Sequence, residues 1–276
     1  VPAALSAARS GQADLPTGTL LPHFVLAFGI AWSTFVAFYL APDAIERLFG
    51  PPSGSHPLFI LAVYAPAISA LLLVGLHGGW GATGRFLGRL LLWRCGWGWV
   101  AFLLFGIPAI YWAGALVKGP AMPIVLPPGG AGAVLSALAF MAVLGPVEEV
   151  GWRGVALPLL QRRLAPVWAG MVLGLIWGIW HLPAFFLSGT PQSAWSLTPF
   201  VIGSIAVSVI VTPLFNRSGG SILLAALFHF QLNNPLSPGG QPYDTIFFVA
   251  AALLTVWLHR ATMFTRDGAV TWVIAE

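Results

Sequence analysis

The chain reads as a series of apolar runs separated by short polar joints. The runs fall at about 23–41, 57–77, 97–117, 131–150, 166–188, 196–215, 220–233 and 243–260. A membrane-crossing helix needs about 20 consecutive apolar residues, and most of these runs supply them. The pattern predicts an all-α, polytopic membrane protein of about eight transmembrane helices. Two runs are irregular. The seventh is short, and the fourth ends in charged residues and continues towards Arg163. Between the second and third runs, GATGRFLGRLLLWR alternates apolar residues with Arg85, Arg89 and Arg94, which predicts an amphipathic helix lying in the interface. Residues 1–20 are small and polar, with Arg9 their one basic residue. They lack the order of charge, apolar stretch and small residues that marks a cleaved leader, and they read as an N-terminal tail. A single helical domain over 21–262 and a C-terminal tail over 263–276 complete the expected organisation.

Composition fits the same picture. Charged residues make up 7% of the chain, against about 25% in soluble domains. The hydrophobic fraction is 58% and the mean hydropathy is +0.88, more than one soluble core of this length can hide. Lipid must cover the outside. Thirteen tryptophans, many near the ends of runs, suit interfacial belts. No basic patch is interleaved with exposed aromatics, so the basic balance does not point to nucleic acid. Cys95 is the only cysteine, which excludes an intrachain disulfide and a thiolate metal site.

The basic residues orient the runs. With eight crossings and the N-terminus in the cytoplasm, the inner segments hold Arg9, Arg85, Arg89, Arg94, Arg162, Arg163, Arg217, Arg260 and Arg266. The outer ones hold Arg47 and Lys118. This asymmetry predicts both termini inside, in a bacterial inner membrane.

Ionisable groups at membrane depth are costly and mark function by default. Here they are few. Glu148, Glu149 and Arg153 lie in AVLGPVEEVGWRGVALP, His181 in LIWGIWHLPAFF, and His229 with Asn233 in LLAALFHFQLNN. Glu149 and Arg153 are four apart and share a helix face, so the arginine neutralises this glutamate and leaves Glu148 free. His229 with Asn233 and Trp177 with His181 repeat the spacing. Pro146 and Pro183 interrupt the helices nearby, and irregular backbone at depth is tolerated where it lines a wet cavity. The segments predict one polar chamber within about 131–235. Since Glu148 precedes Arg162 and Arg163, the chamber is expected nearer the arginine-rich side. A carboxylate near two imidazoles can deprotonate water, and an amide can stabilise the oxyanion of a tetrahedral intermediate.

Plainer roles stand beside these. Glu149 with Arg153 can be a structural ion pair, His229 with Asn233 an interhelical bonding pair, and Trp177 a packing residue. His23, His56, His77 and His259 sit at run ends or in a loop and read as interfacial, as does Asp244. Asp43, Glu46 and Arg47 read as a solvated loop, and Asn216, Arg217 and Ser218 as a turn.

Glu148-Glu149-x-x-x-Arg153, Trp177-x-x-x-His181 and His229-x-x-x-Asn233, in that order and inside apolar runs, resemble the motifs of the CPBP family. This family comprises CAAX-prenyl proteases and bacterial homologues linked to bacteriocin processing and self-immunity. Phenylalanine is its usual aromatic where this chain has Trp177. NRSGGSILLAALFHFQLN also resembles the family's lead-in to its last motif. The resemblance covers about residues 140–235 and implies an intramembrane endopeptidase acting on a membrane-associated peptide or protein. Its site would comprise Glu148, Glu149, Arg153, His181, His229 and Asn233. Members were first described as metal-dependent, and Glu148, His181 and His229 are the set that zinc would use. No His-Glu-x-x-His is present, and a metal-free scheme is expected, with no cofactor. A proton-coupled carrier and a non-catalytic scaffold or immunity protein are the competing classes. The carrier finds no support in repeated halves or paired broken helices.

Overall fold

The computed structural model describes residues 14–119 and 129–275, and all regular structure among them is helical. Among the described residues, six helices are long and apolar enough to cross a membrane: α1 (Thr17–Leu40), α2 (Pro57–Leu91), α3 (Trp97–Lys118), α4 (Gly130–Gln161), α5 (Pro166–Phe186) and α6 (Leu197–Arg217). The last two predicted runs form shorter helices, α7 (Ile222–Leu232) and α8 (Asp244–Leu258). They have 11 and 15 residues, below the length of a full crossing, so six long helices stand where eight were expected. Each short helix still joins one end of the bundle to the other.

Breakers set the joints. Pro57 and Pro166 open helices at their first position, where a missing N–H costs nothing. Gly219 and Gly220 turn the chain with φ of 68° and 81°, and the Ser221 hydroxyl then caps α7 by accepting from the Leu224 N–H. Small residues bring α5 and α6 together. A Cβ at Gly174 would stand 2.6 Å from the Ile205 Cα, and one at Gly170 2.8 Å from the Thr212 hydroxyl. Gly170, Gly174 and Gly178 thus form a stripe that lets the backbones meet, as in membrane helix pairs. Trp177 and His181 are carried along at the end of α5.

One end of the bundle gathers residues 14–17, 89–92, 161–163, 216–221 and 266–274. Arg162 binds Asp14 at 2.6 Å and donates to the Leu15 and Thr271 carbonyls. Gln161 and Asn216 exchange amide bonds, and Arg266 donates to the Arg162 carbonyl. The Ser221 hydroxyl donates to the Leu92 carbonyl. The opposite end gathers the end of α3 and the joints after α1, α5 and α7. There Gly189 packs on Pro52, and Lys118 donates to the Gly239 carbonyl.

Several expectations are corrected here. The second limb of α2 follows a kink at Gly79, φ 66°. It is amphipathic, with Ala82, Phe86 and Arg89 all 0% exposed, so Arg89 faces protein and not the interface. Residues 14–20 and 263–275 are not tails. Leu15, Met263, Val270, Val273 and Ile274 are buried, and Asp14 accepts from the Val273 and Ile274 N–H groups. Arg9 and the rest of the expected N-terminal tail, residues 1–13, lie outside the described residues, as do 120–128 and 276. His23, His56 and Asp244 are buried, not interfacial. His23 is held by Ser69, and the His56 ring accepts from the Leu58 N–H to cap α2. His259 stacks on Trp99 at 5.5 Å.

Candidate active site

The site is built where α4 stops being a regular helix. After Leu144 the chain passes through Gly145 and a 3-10 turn, Pro146–Glu148, into Glu149–Gly151 and then a π-turn, Trp152–Ala156, before Leu157–Gln161 resumes α geometry. Glu148 thus lies well inside a span that continues to Gln161, not at its end.

In the π-turn the Leu157 N–H bonds the Trp152 carbonyl. The Arg153 carbonyl therefore loses its usual donor, and the next residue, Pro158, has no N–H to offer. The Gly154 carbonyl loses its usual partner to the same proline. Arg89 supplies both: Nη1 donates to Gly154 at 2.7 Å and Nη2 reaches the Arg153 carbonyl at 3.5 Å. Its other bonds run to the Gly220 and Val273 carbonyls, and its guanidinium lies 4.9 Å from the Trp272 ring centroid. The interfacial arginine of the sequence reading is a clasp beneath the glutamates.

The two glutamates have separate partners. Glu148, 3% exposed, accepts two indole N–H bonds on Oε2, from Trp177 at 2.7 Å and Trp152 at 3.2 Å. It is therefore held, where the sequence reading left it free, and Trp177 does more than pack. Glu149 pairs with Arg153 at 3.0 Å, as the spacing implied. The same Oε1 also accepts from His229 Nδ1 at 2.7 Å, a contact the sequence did not announce. Arg153 lies 5.4 Å from the Trp177 ring centroid.

The histidines follow from these bonds. A carboxylate can only accept, so His229 Nδ1 carries the proton and Nε2 is turned away from Glu149. It points towards Gly145: a Cβ built there would stand 3.0 Å from His229 Nε2 and would overlap the Asn233 amide nitrogen. Gly145 is therefore the gap in which His229 and Asn233 converge. His181 Nδ1 donates to the Trp177 carbonyl at 2.8 Å, again leaving Nε2 for the cavity. Its ring is bracketed by Trp180 and Phe200 at 4.8 and 5.0 Å.

Glu148, His181, His229 and Asn233 line one cavity of about 400 Å³, while Glu149 and Arg153 stand behind its wall. The walls are apolar, with Phe35, Leu144 and Phe248 among them. The rim is formed by Pro191, Trp195 and Gly239, all exposed and all at the end opposite the arginines. The chamber therefore does not open towards Arg162 and Arg163, as expected from the apparent end of the fourth run. Beyond the π-turn α4 continues to Gln161, and that end is closed by Arg89 and the buried residues Val270, Val273 and Ile274.

The set expected for zinc, Glu148, His181 and His229, is not gathered around one point. Among the described residues no three of His, Cys, Asp and Glu come together as metal ligands. Trp152 and Gly145 are the site residues that the sequence reading missed. The signal for Trp152 was its position four residues after Glu148. Gly145 left no local signal, because its partners come from α7.

Comparison with known proteins agrees with the motifs. Residues 130–234 match the family model described as Type II CAAX prenyl endopeptidase Rce1-like, which supports the CPBP resemblance over that stretch. A CAAX prenyl protease 2 from Methanococcus maripaludis is 32% identical over 130 residues, 42% of this chain and 47% of that protein. The chain spans about half the length of this curated relative.

Proposed function

We propose that this chain is an intramembrane endopeptidase that hydrolyses peptide bonds of membrane-associated proteins or peptides with a water activated by Glu148. The observation that carries the reading is the division of labour around the cavity. Glu148, His181, His229 and Asn233 face it, and Glu149 with Arg153 holds His229 from behind.

The chemistry follows from what each group can give. The indoles occupy Oε2 of Glu148 and leave Oε1 to meet a water. Glu148 takes a proton from that water as its oxygen attacks the scissile carbonyl carbon. The carbonyl electron pair moves onto oxygen, and the Asn233 amide donates to the resulting oxyanion. His181 and His229 present Nε2 to the cavity as an acceptor, which can hold the second hydrogen of the water and so orient it. The proton held by Glu148 passes to the leaving nitrogen as the carbon–nitrogen bond breaks. Glu149 is a positioning residue: its carboxylate fixes the tautomer and orientation of His229, the role that outer-shell carboxylates play for other imidazoles. No step requires a metal.

The arginine-rich end is placed in the cytoplasm. It holds Arg85, Arg89, Arg94, Arg162, Arg163, Arg217, Arg260 and Arg266, against Arg47 and Lys118 at the other, so Asp14 and Ala275 lie on the inner side in this reading. The direct test of function compares peptide termini in cells carrying wild type and Glu148→Gln. Loss of specific new termini in the variant supports the peptidase. Loss of solute flux with unchanged termini would indicate a carrier, and no change of either kind a scaffold.

A further inference from the structure

Resting on the peptidase reading, we infer that Tyr111 is a positioning residue for the reaction: its hydroxyl fixes the peptide plane that carries Asn233 and so aims the oxyanion donor into the cavity. Tyr111 belongs to α3, outside the stretch 130–234 that matches the family model.

The need for such a residue arises where the ladder of α7 runs out. In a helix the Leu232 carbonyl would accept from the N–H three or four residues on. Three on is Pro235, which has no N–H. Four on is Leu236, whose N–H is taken by Asn234 Oδ1 at 3.0 Å. The chain thus strips Leu232 of both helical donors at the residue before Asn233. Tyr111 supplies the missing one: its hydroxyl donates to the Leu232 carbonyl at 2.8 Å, across 121 positions of sequence.

This bond reaches Asn233 through one rigid unit. The Leu232 carbonyl and the Asn233 N–H belong to the same planar peptide group. The N–H edge is held by the His229 and Phe230 carbonyls at 3.2 and 3.1 Å, and the carbonyl edge by Tyr111. With both edges held, Asn233 keeps its place although its φ of −103° and ψ of 12° are no longer helical. Its amide then meets the Gly145 gap beside His229 Nε2. A tilt of this plane would move the oxyanion donor relative to the imidazole. Tyr111 is itself seated by α8, its ring standing edge-on to Phe248 at 5.5 Å. Tyr111, Leu232 and Asn233 all line the cavity. A phenol has one proton to donate, and the Leu232 carbonyl takes it, so Tyr111 acts through Asn233 and not on the substrate.

The test uses the purified full chain and a quenched fluorogenic peptide spanning a terminus that wild-type cells produce and Glu148→Gln cells do not. Tyr111→Phe keeps the ring and removes the hydroxyl. Its kcat, measured on the folded, monodisperse fraction, is expected to fall about 10–10²-fold with KM unchanged. In an Asn233→Ala background, which has no amide left to aim, the same substitution should lower kcat no further. A wild-type kcat in Tyr111→Phe overturns the proposal. So does an equal loss with and without Asn233, because a residue that only steadies the bundle would act alike in both backgrounds. Absence of any Glu148-dependent terminus defeats the peptidase reading and this proposal with it. A Glu148-dependent cleavage indifferent to Tyr111→Phe defeats this proposal alone, so the two failures are distinct.

Discussion

His229 and Glu149, 80 positions apart in the chain, are joined by a 2.7 Å bond from Nδ1 to Oε1. This bond couples the second motif glutamate to the last motif histidine and lets one carboxylate serve Arg153 and His229 together. Glu149→Gln keeps an acceptor for His229 but strips Arg153 of its counter-charge. An unpaired buried charge costs about 3–5 kcal/mol. The expected result is a large loss of thermal stability in detergent with turnover falling alongside it. A fully stable Glu149→Gln protein would refute the pairing.

Glu148→Gln should behave oppositely. The glutamine carbonyl oxygen still accepts from Trp152 and Trp177, so folding and unfolding temperature should stay close to wild type. Loss of the base should lower kcat by about 10²–10⁴-fold. A purified variant with wild-type kcat on a cleavable membrane peptide would remove Glu148 from its role.

Gly145→Ala places a methyl where the Asn233 amide lies. Displacing one oxyanion donor costs about 10²–10³-fold in kcat, and the loss should match that of Asn233→Ala. Because the clash is with Asn233 itself, the two substitutions should be strongly non-additive. Additive losses in the double variant would show that Gly145 acts elsewhere.

Arg89→Met removes the donor to two carbonyls that the π-turn and Pro158 leave without one. Each stranded carbonyl costs about 1–3 kcal/mol. Pro158→Ala returns an N–H to that position, and adding it to Arg89→Met should recover part of the unfolding temperature. No recovery would mean that Arg89 stabilises through its bonds to Gly220 and Val273 alone.

Metal content gives a further check. Active purified protein is expected to contain no stoichiometric zinc and to keep its activity after chelation. Activity lost with zinc and restored by it would overturn the water-and-carboxylate scheme.

Much of the fold was legible because hydropathy is a local signal. The predicted runs fall close to α1–α8, and Glu149 with Arg153 was readable from one turn of helix. Contacts made across the bundle were not. His229 meets Glu149, and Gly145 meets Asn233, only after α4 and α7 pack. The inward turn of Arg89 was hidden because an alternating arginine pattern fits an interfacial helix equally well until a proline 69 positions later strips two carbonyls of their donors. Leu15, Val270, Val273 and Ile274 are too sparsely spaced to register as an apolar run, so in the sequence the buried ends read as tails. Trp152 was visible at four residues from Glu148, but in a chain with thirteen tryptophans an indole is first read as a belt residue.

A π-turn is an α-helix with one extra residue wound in, and this gives α4 a phase as well as a length. Above Trp152 the helix is indexed by its glutamates; below Ala156 it is indexed by Gln161 and Arg162, which Asn216 and Asp14 hold fixed. Because the turn absorbs that residue locally, the helix on either side keeps the phase of a continuous α-helix without it. Winding the same residues into regular α geometry would turn the upper part by about 100°. Since the lower part is tethered, the whole rotation would fall on Glu148 and Glu149 and carry them away from Trp177 and His229. Pro158, which has no N–H to give the Gly154 carbonyl, and Arg89, which takes that carbonyl up, therefore keep the motif aimed as well as folded.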